Sequence, residues 1–469
     1  MSELPSDWEA GSFGEIVNII RGVTFPASSK VHDRSDEVVA CLRTSHIQDK
    51  LLWDNIYFIP KHFVRREEQL TRRNDILMSM ANSSNLVGKV CINESGGEAC
   101  FGAFLAAIRC EQVNPKYVYY FLRSTDTQSK LRANSSQTVN IANISVSELE
   151  KLEIPIAPFE EQKRIAQKLD TLLAQIDALE ARIDAIPTLV ERMRKSVLAS
   201  AMIGSVAAFS PPLVSSTGSR TKLTLGDETL DVPAGWGSAS LGSLLDSDRK
   251  LCYGVVQPGL EVESGIEMVR VCDIDSGKIA WDNVRKIASD VDNEYRRSRI
   301  ARGDILLSIV GSIGRAAIVR KDSSANIARA VARLSVDRSR LTPEWLFLWL
   351  TCPSVQWWLA SSSKEVARKT LNLKELSELP VLLPTIAEQT EIVRRVEQLF
   401  AIADQLEAKV SAAKQRIDSL TQSLLAKAFR GELVPQDPND EPASLLLERI
   451  RAQRADVPKP KRGRKAASN

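Results

Sequence analysis

Histidine is scarce: only His32, His46 and His62 occur, all in the first half of a 469-residue chain. The seven cysteines, Cys41, Cys91, Cys100, Cys110, Cys252, Cys272 and Cys352, form no Cys-x-x-Cys pair. No zinc-ligand spacing results, and buried or idle thiols in a reducing cytosol are the plain reading. No apolar run approaches the roughly 18 residues of a membrane span. The N-terminal MSELPSDWEAG is acidic and has no apolar segment of the kind a signal peptide carries. A soluble cytoplasmic protein with no membrane partner is expected. Catalytic signatures are missing too. There is no G-x-x-x-x-G-K-[ST] loop, so no ATPase is indicated, and no G-x-G-x-x-G turn opens a helix. Asp437-Pro438-Asn439-Asp440 is the nearest string to the Asn/Asp-Pro-Pro-aromatic tetrad of amino-methyltransferases. It lacks the second proline and the ring. The acidic pairs Glu67-Glu68 and Glu160-Glu161 read as surface charge or as stabilisation of a helix start. No catalytic residue and no metal ligand is assigned.

What is present fits a globular protein. The length allows about three domains, and 43% hydrophobic with 26% charged residues is enough to bury cores. The net charge of +3 (62 Lys+Arg against 59 Asp+Glu) says little about nucleic acid, because phosphate attraction depends on where charge sits.

The chain repeats itself. Residues 160–204 align without a gap to residues 387–431, so that Gln162 matches Gln389, Asp177 matches Asp404, Glu180 matches Glu407 and Gly204 matches Gly431. The preceding segments echo one another less strictly. Pro5-Ser6-Asp7-Trp8 parallels Pro233-Ala234-Gly235-Trp236, Gly22-Val23 parallels Gly254-Val255, and Leu42-Arg43 parallels Val269-Arg270. Asn74-Asp75-Ile76-Leu77 parallels Gly303-Asp304-Ile305-Leu306, and Gly88-Lys89 parallels Gly314-Arg315. The order is globular unit, helix, globular unit, helix, tail. The boundaries follow as 1–158 and 222–385 for the globular units and 159–205 and 386–435 for the helices. A linker at 206–221 and a C-terminal segment with a basic tail at 436–469 complete the chain.

The helices carry heptads. One has apolar residues at Ile165, Leu169, Leu172, Ile176, Leu179 and Ile183 and continues through Val190 to Val197. The other has Ile392, Val396, Leu399, Ala403, Leu406, Val410, Ala413, Ile417, Leu420 and Leu424. Spacing alternates four and three, the seam of a coiled coil. Each seam runs about 50 Å at 1.5 Å per residue and needs a partner, the nearest being the other copy. Pro187 predicts a kink, not an end, since the seam resumes in phase. A plain helical hairpin packed as ordinary core is the alternative.

Strand-like runs appear at Val38–Leu42, Ile56–Ile59, Asp75–Met80 and Phe104–Ile108, and again at Glu267–Val271, Asp304–Val310 and Ala328–Ser335. Aromatic helices at Tyr117–Leu122 and Trp345–Leu350 could stack on bases or fill a core. Two Gly-containing segments, Ser79–Val90 and Ser308–Ala317, follow strands and combine small polar residues with one basic residue. Ser79, Lys89, Ser308 and Ser312 suit phosphate contact and close approach to DNA. Asn82, Ser84, Asn85, Arg270 and Arg315 are candidate base readers, since Asn pairs with adenine and Arg with guanine. Arg43, the counterpart of Arg270, joins them. A surface turn would look the same.

The arms resemble a known pattern. Pro158-Phe159-Glu160-Glu161-Gln162 opens the first and Thr385-Ile386-Ala387-Glu388-Gln389 the second, which closes in Ala428-Phe429-Arg430-Gly431-Glu432-Leu433. From Trp8 to Ser444–Arg451 the chain resembles the specificity subunit of a type I restriction-modification enzyme, its enteric type IA branch above all. It departs at Ala201-Met202-Ile203-Gly204 and in placing Pro384 one position early. The resemblance implies an α+β chain of two mixed α/β target recognition domains, separated by two long antiparallel coiled-coil helices with a pseudo-two-fold repeat. Each domain would read half of a split site in double-stranded DNA. Two modification subunits would methylate adenine with S-adenosylmethionine. Two restriction subunits would translocate and cleave with ATP and Mg2+, leaving no cofactor on this chain. A scaffold that binds no DNA and a fused methyltransferase-reader are the rival readings.

Overall fold

The computed structural model describes residues 4–83, 86–133, 135–138, 141–204, 219–363 and 369–456. The chain forms two compact units, one of residues 1–183 and 412–469, the other of residues 184–411. The long helices are therefore divided between the units and form no body of their own.

The first unit is built on short strands: β1 (Glu9–Ser12), β2 (Val17–Arg21), β3 (Val38–Leu42), β4 (Tyr57–Pro60), β5 (Ile76–Ser79), β6 (Val90–Ile92), β7 (Cys100–Phe101), β8 (Leu105–Cys110) and β9 (Glu153–Ile156). They pair as β1-β9, as a four-stranded sheet β2-β8-β5-β6 and as a three-stranded sheet β4-β3-β7. The β3–β7 pairing is parallel and the others are antiparallel. Helices α1 (Pro115–Arg123) and α2 (Thr125–Ala133) follow β8, and α3 (Phe159–Asp184) follows β9.

The second unit takes up α4 (Ile186–Met202) and has nine matching strands: β10 (Gly237–Ser240), β11 (Cys252–Tyr253), β12 (Ile266–Val269), β13 (Arg285–Ile287), β14 (Ile305–Ser308), β15 (Ala316–Ile318), β16 (Asn326–Ile327), β17 (Val331–Leu334) and β18 (Pro380–Leu383). They pair as β10-β18, β11-β17-β14-β15 and β13-β12-β16, with β12–β16 again parallel. Helices α5 (Pro343–Thr351) and α6 (Pro353–Ser361) lie between β17 and β18, and α7 (Ile386–Ala428) follows. A hairpin of Arg220–Leu225 and Glu228–Pro233 precedes β10. Its first strand starts inside the stretch read as linker. Most of that linker, 206–218, lies outside the described residues, as do residue 205 and the tail from Val457. Helix α8 (Ala443–Asp456) packs into the first unit, where Ala443, Leu446, Leu447 and Ile450 join its core.

The aromatic helices are core. Tyr117, Tyr119, Tyr120 and Phe121 are buried, as are Trp345 and Trp349. The Tyr117 hydroxyl donates to the Pro155 carbonyl at 2.8 Å and the Trp345 indole to that of Leu382 at 2.8 Å. Apolar rings with one polar tip are spent on tying helix to edge strand.

The long helices start the same way in both units. Gln162 is fully buried: its oxygen accepts from the Asn114 amide at 2.9 Å and its nitrogen donates to the Ala157 carbonyl at 2.9 Å. Gln389 is fully buried too, accepting from the Thr342 amide at 2.9 Å and donating to the Pro384 and Arg340 carbonyls. Asn114 and Thr342 cap α1 and α5, so each glutamine joins the cap of one helix to the start of another. The glutamate before it receives the indole N–H of Trp8 (Glu161, 2.9 Å) or Trp236 (Glu388, 3.4 Å). Burial pushes the Glu161 carboxyl above its ordinary value.

The seam is buried next to the globular cores, and farther along buried positions (Val190, Ala403) alternate with half-buried and exposed ones. Ile165, Leu169 and Ile176 share a core with Leu425 and Ala428, with Ile417 and Leu424 at its margin. In the second unit Ile392 and Val396 share a core with Leu198, Ala201 and Met202, and Arg194 bridges Asp404 and Glu407 at 2.5 and 3.2 Å. Leu172, Ile183, Leu399 and Val410 are half-buried. Leu173 is the more deeply buried of the Leu172–Leu173 pair, because near the domain the helix buries a wider face than a two-helix seam requires. Leu179, Leu406 and Leu420 are 51%, 39% and 50% exposed, a correction to their reading as covered seam positions. Helix α3 ends at Asp184 and α4 starts at Ile186, with Ala185 between them in a helical conformation. Pro187 at the second position of α4 lacks the N–H that would have continued the ladder, which gives a one-residue break.

Asp75 and Asp304, the repeated Asp before β5 and β14, are buried and fully partnered. Asp75 accepts from Arg109 through two bonds at 2.8 and 2.7 Å and from the Arg72 amide at 2.8 Å. Asp304 accepts from Arg249 twice at 2.7 Å, from the Ala301 amide and from Ser335. Removing one partner of such a pair strands the other charge, at a cost of about 3–5 kcal/mol. Asp75→Ala should destabilise the first unit by about that amount in urea unfolding, while Asp33→Ala, on an exposed loop, should change stability by less than about 0.5 kcal/mol.

Candidate nucleic-acid interface

The repeated loops leave from the same corner of each four-stranded sheet. In the first unit, Ser79 closes β5 with its amide donating to the Lys89 carbonyl at 2.9 Å, and the Gly88 amide donates back to Ser79 at 2.8 Å. In the second, Ser308 does the same with Arg315 and Gly314 at 2.8 and 3.0 Å. A glutamine holds each turn from behind: Gln128 donates to the Gly88 and Leu122 carbonyls, Gln356 to those of Gly314 and Leu350.

This geometry corrects part of the candidate list. Ser79 and Ser308 are buried. The Ser308 hydroxyl donates to the Ser312 carbonyl and accepts from the Arg315 amide at 2.8 Å, and the Ser79 hydroxyl lies 3.5 Å from the Asn82 amide nitrogen. Both serines shape the loop and present no atom to a partner. Lys89 is half-buried and donates to Gln48 at 2.6 Å. Asn82, also half-buried, accepts from the Ser83 amide at 2.8 Å, leaving its NH2 end toward Ser79. Ser84 and Asn85 lie outside the described residues. Ser312 and Arg315 are exposed, and the Arg315 guanidinium has no partner among the described residues.

Arg43 and Arg270 sit at a second corner, after β3 and β12. Each backbone amide there is held by a side chain three residues on: Arg43 by His46 Nδ1 at 3.0 Å, Arg270 by Asp273 at 2.7 Å. His46 is buried and its Nε2 lies 3.2 Å from the Asp54 carbonyl, an arrangement that fits a neutral ring with the proton on Nε2. Burial, with Arg43 beside it, holds its pKa below the ordinary value. The two arginines differ above this shared base. The Arg270 guanidinium is bound to Asp273 at 3.0 and 3.1 Å and donates to the Asn283 carbonyl at 3.3 Å, so its reading as a base contact gives way to a structural one. Arg43 is exposed, donates one bond to the Asn55 carbonyl at 3.0 Å and lies 5.5 Å from the Tyr57 ring centre. Its remaining donors face outward.

Three residues were missed. Phe104, read as the first residue of a strand, is the tip of the β7–β8 turn and is 64% exposed. Arg329 occupies the β16–β17 turn, exposed, its backbone amide donating to the Val255 carbonyl at 2.9 Å and its guanidinium without a partner among the described residues. Lys30 lies 5.1 Å from the centre of the Tyr57 ring. Phe104, Arg43 and Lys30 line one open hollow of about 350 Å³ with Phe25 and Tyr57, and among the described residues no acidic side chain lines it. The signal in the sequence was Gly102-Ala103-Phe104 against Ala328-Arg329-Ala330, an apolar residue ahead of a strand that looks like core until its turn is known.

Comparison with known proteins bears on what such corners meet. A family described as "Type I restriction modification DNA specificity domain" matches residues 5–188 and 261–413. The chain is 44% identical over 353 residues to the type I restriction enzyme EcoBI specificity subunit of Escherichia coli, covering 74% of this chain and 73% of that one. It is 32% identical over 481 residues to the StySPI specificity subunit of Salmonella potsdam, covering 99% of each. Among solved structures, the fold matches a chain from work on "complex assembly and conformational transition of the type I R-M system" (TM-score 0.65, 18% identity, 92% of this chain and 100% of that one). It also matches the HsdS subunit from Thermoanaerobacter tengcongensis (TM-score 0.55, 17% identity, 92% and 98%).

The corner separates loop-shaping from ligand-facing residues, and substitution should too. Arg315→Ala should weaken duplex binding about 5- to 10-fold at moderate salt and lower the slope of log affinity against log salt by about one, with an unchanged melting temperature. Ser308→Ala should cost about 1–3 kcal/mol of stability and leave that slope unchanged. Fluorescence anisotropy across a salt series together with thermal melting checks both.

Proposed function

The chain belongs to the type I restriction-modification DNA specificity family, and on that premise we propose that it reads a split target in double-stranded DNA for partner subunits that carry out the chemistry. The relatives named above are specificity subunits, which leaves the scaffold without DNA binding unsupported. The observation that carries the proposal is that one framework occurs twice with unlike exposed residues: nine strands in one order, a buried glutamine starting each long helix, but Phe104 and Arg43 exposed in one unit against Arg329, Ser312 and Arg315 in the other. Equal frameworks with unequal readers suit two different half-sites.

The long helices act as an antiparallel coiled-coil spacer. The start of α3 sharing a core with the end of α7, and the end of α4 with the start of α7, supports this direction. An antiparallel pair relates its two heads by a pseudo-two-fold axis, which suits the local dyad of a duplex. The Leu179, Leu406 and Leu420 positions, left open on the arms, suit coverage by other subunits. Two modification subunits would methylate adenine using S-adenosylmethionine, and two restriction subunits would use ATP and Mg2+. The whole assembly would work in the cytoplasm.

A spacer makes a quantitative demand. One heptad adds about 10 Å to a helix, roughly three base pairs of duplex at about 3.4 Å each. Inserting seven residues in phase into both arms should change the gap between half-sites by about that number and leave both half-site sequences intact. Methylation mapping of the assembled variant reads both quantities; an unchanged gap overturns the spacer.

A further inference from the structure

The two turns that carry Phe104 and Arg329 share three backbone bonds and differ in what they present. The Leu105 amide donates to the Gly102 carbonyl at 2.8 Å and the Val331 amide to that of Ala328 at 2.9 Å. The Gly102 amide donates to Leu42 at 2.9 Å and the Ala328 amide to Val269 at 2.9 Å. The far side is held by Met80 donating to the Phe104 carbonyl at 2.8 Å and Ile309 to that of Ala330 at 2.9 Å. A glycine braces each turn from beneath. A Cβ on Gly22 would lie 2.2 Å from the Gly102 oxygen, and one on Gly254 would lie 1.7 Å from the Ile327 oxygen. Neither approach tolerates a side chain.

Both turns are thus rigid mounts, and a rigid mount is what a reading residue requires. Phe104 does no core work at 64% exposure. A phenyl ring held in water on a pinned turn costs solvation that its own fold does not recover, and it stands beside two cations, Lys30 and Arg43, with no acid among the described residues lining the hollow. Positive charge flanking an exposed ring suits a polyanion with apolar features between its phosphates, which describes a duplex groove. Within the major groove, the apolar feature is the thymine methyl group. At the equivalent turn the neighbouring position is Arg329, whose open guanidinium suits the two acceptors of guanine.

We infer that the β7–β8 and β16–β17 turns are base-reading elements, Phe104 taking a thymine methyl in one half-site and Arg329 a guanine in the other. This rests on the DNA-reading function proposed above and adds the residues and the base chemistry. The mounts are shared, with Phe104 matching Ala330 and Arg329 matching Ala103, so the two units present their reading side chains from adjacent positions of the same turn.

The test uses the full chain assembled with its modification subunits and duplexes carrying its methylated target. In the wild-type complex, replacing thymine by uracil at one position of one half-site should weaken binding about fourfold, the loss of one methyl contact. Phe104→Ala should bind the thymine and uracil duplexes equally, and Phe104→Leu should retain part of the preference. Arg329→Ala should lose about 5- to 100-fold of discrimination at one guanine of the other half-site. Both residues are exposed, so melting temperatures should stay within about 1 °C of the wild type. Unchanged discrimination at every position in Phe104→Ala and Arg329→Ala overturns the inference, as does a uniform loss on all sequences, or both variants acting on one half-site. If the wild-type complex itself shows no sequence preference, the DNA-reading function falls first and this inference with it.

Discussion

In each unit a fully buried glutamine side chain fixes the first turn of the long helix to the globular core. Gln162 and Gln389 are fully buried and bond in both directions, to the capped start of the aromatic helix and to the last carbonyls before the arm. A helix more than 25 residues long transmits an error in its starting angle along its whole length, so its first turn has to be fixed. The glutamine fixes that turn to backbone atoms, which do not vary with the residues presented to a ligand. The Trp8–Glu161 and Trp236–Glu388 bonds repeat this from the other side. Heads can then differ in their exposed residues while the bonds that start the arm are the same in both units.

The division between frame and reader runs through every repeated motif. Asp75 and Asp304 use different arginines, Arg109 from β8 and Arg249 from the segment before β11, yet fill the same place. His46 and Asp273 hold the same backbone amide by different chemistry. Gly22 and Gly254 make room for the same crossing. What the frame leaves free is a small set of exposed tips, and there the two units diverge in charge and in polarity.

Much of this frame was legible in the sequence. Heptads set by Ile165, Leu169, Ile392 and Val396 mark where the helices bury themselves, and the strand runs fall within one or two residues of their positions because period and turn residues are local signals, except that Ala328–Ser335 starts three residues early and takes in the Arg329 turn. The interface was less legible. Ser79 and Ser308 follow a strand in a loop of small residues, a pattern shared by ligand loops and by turns that close on themselves; only the Ser308–Arg315 bond decides between them. Arg270 looked like a guanine reader because its partner Asp273 lies three residues on and that pairing depends on a turn. Phe104 was hidden by hydrophobicity itself, since an apolar residue beside a strand is ordinarily core. The open Leu179, Leu406 and Leu420 have a related cause: periodicity reports that a face is apolar and not what covers it.

The central claim is that one chain holds two unlike readers at a set separation. Single-molecule methylation sequencing of DNA modified by the complex containing this chain tests it most directly. The account predicts a methylated adenine in each of two dissimilar short motifs, separated by a fixed run of unspecified bases. One continuous motif, two identical halves, or halves separated by a variable gap would contradict it.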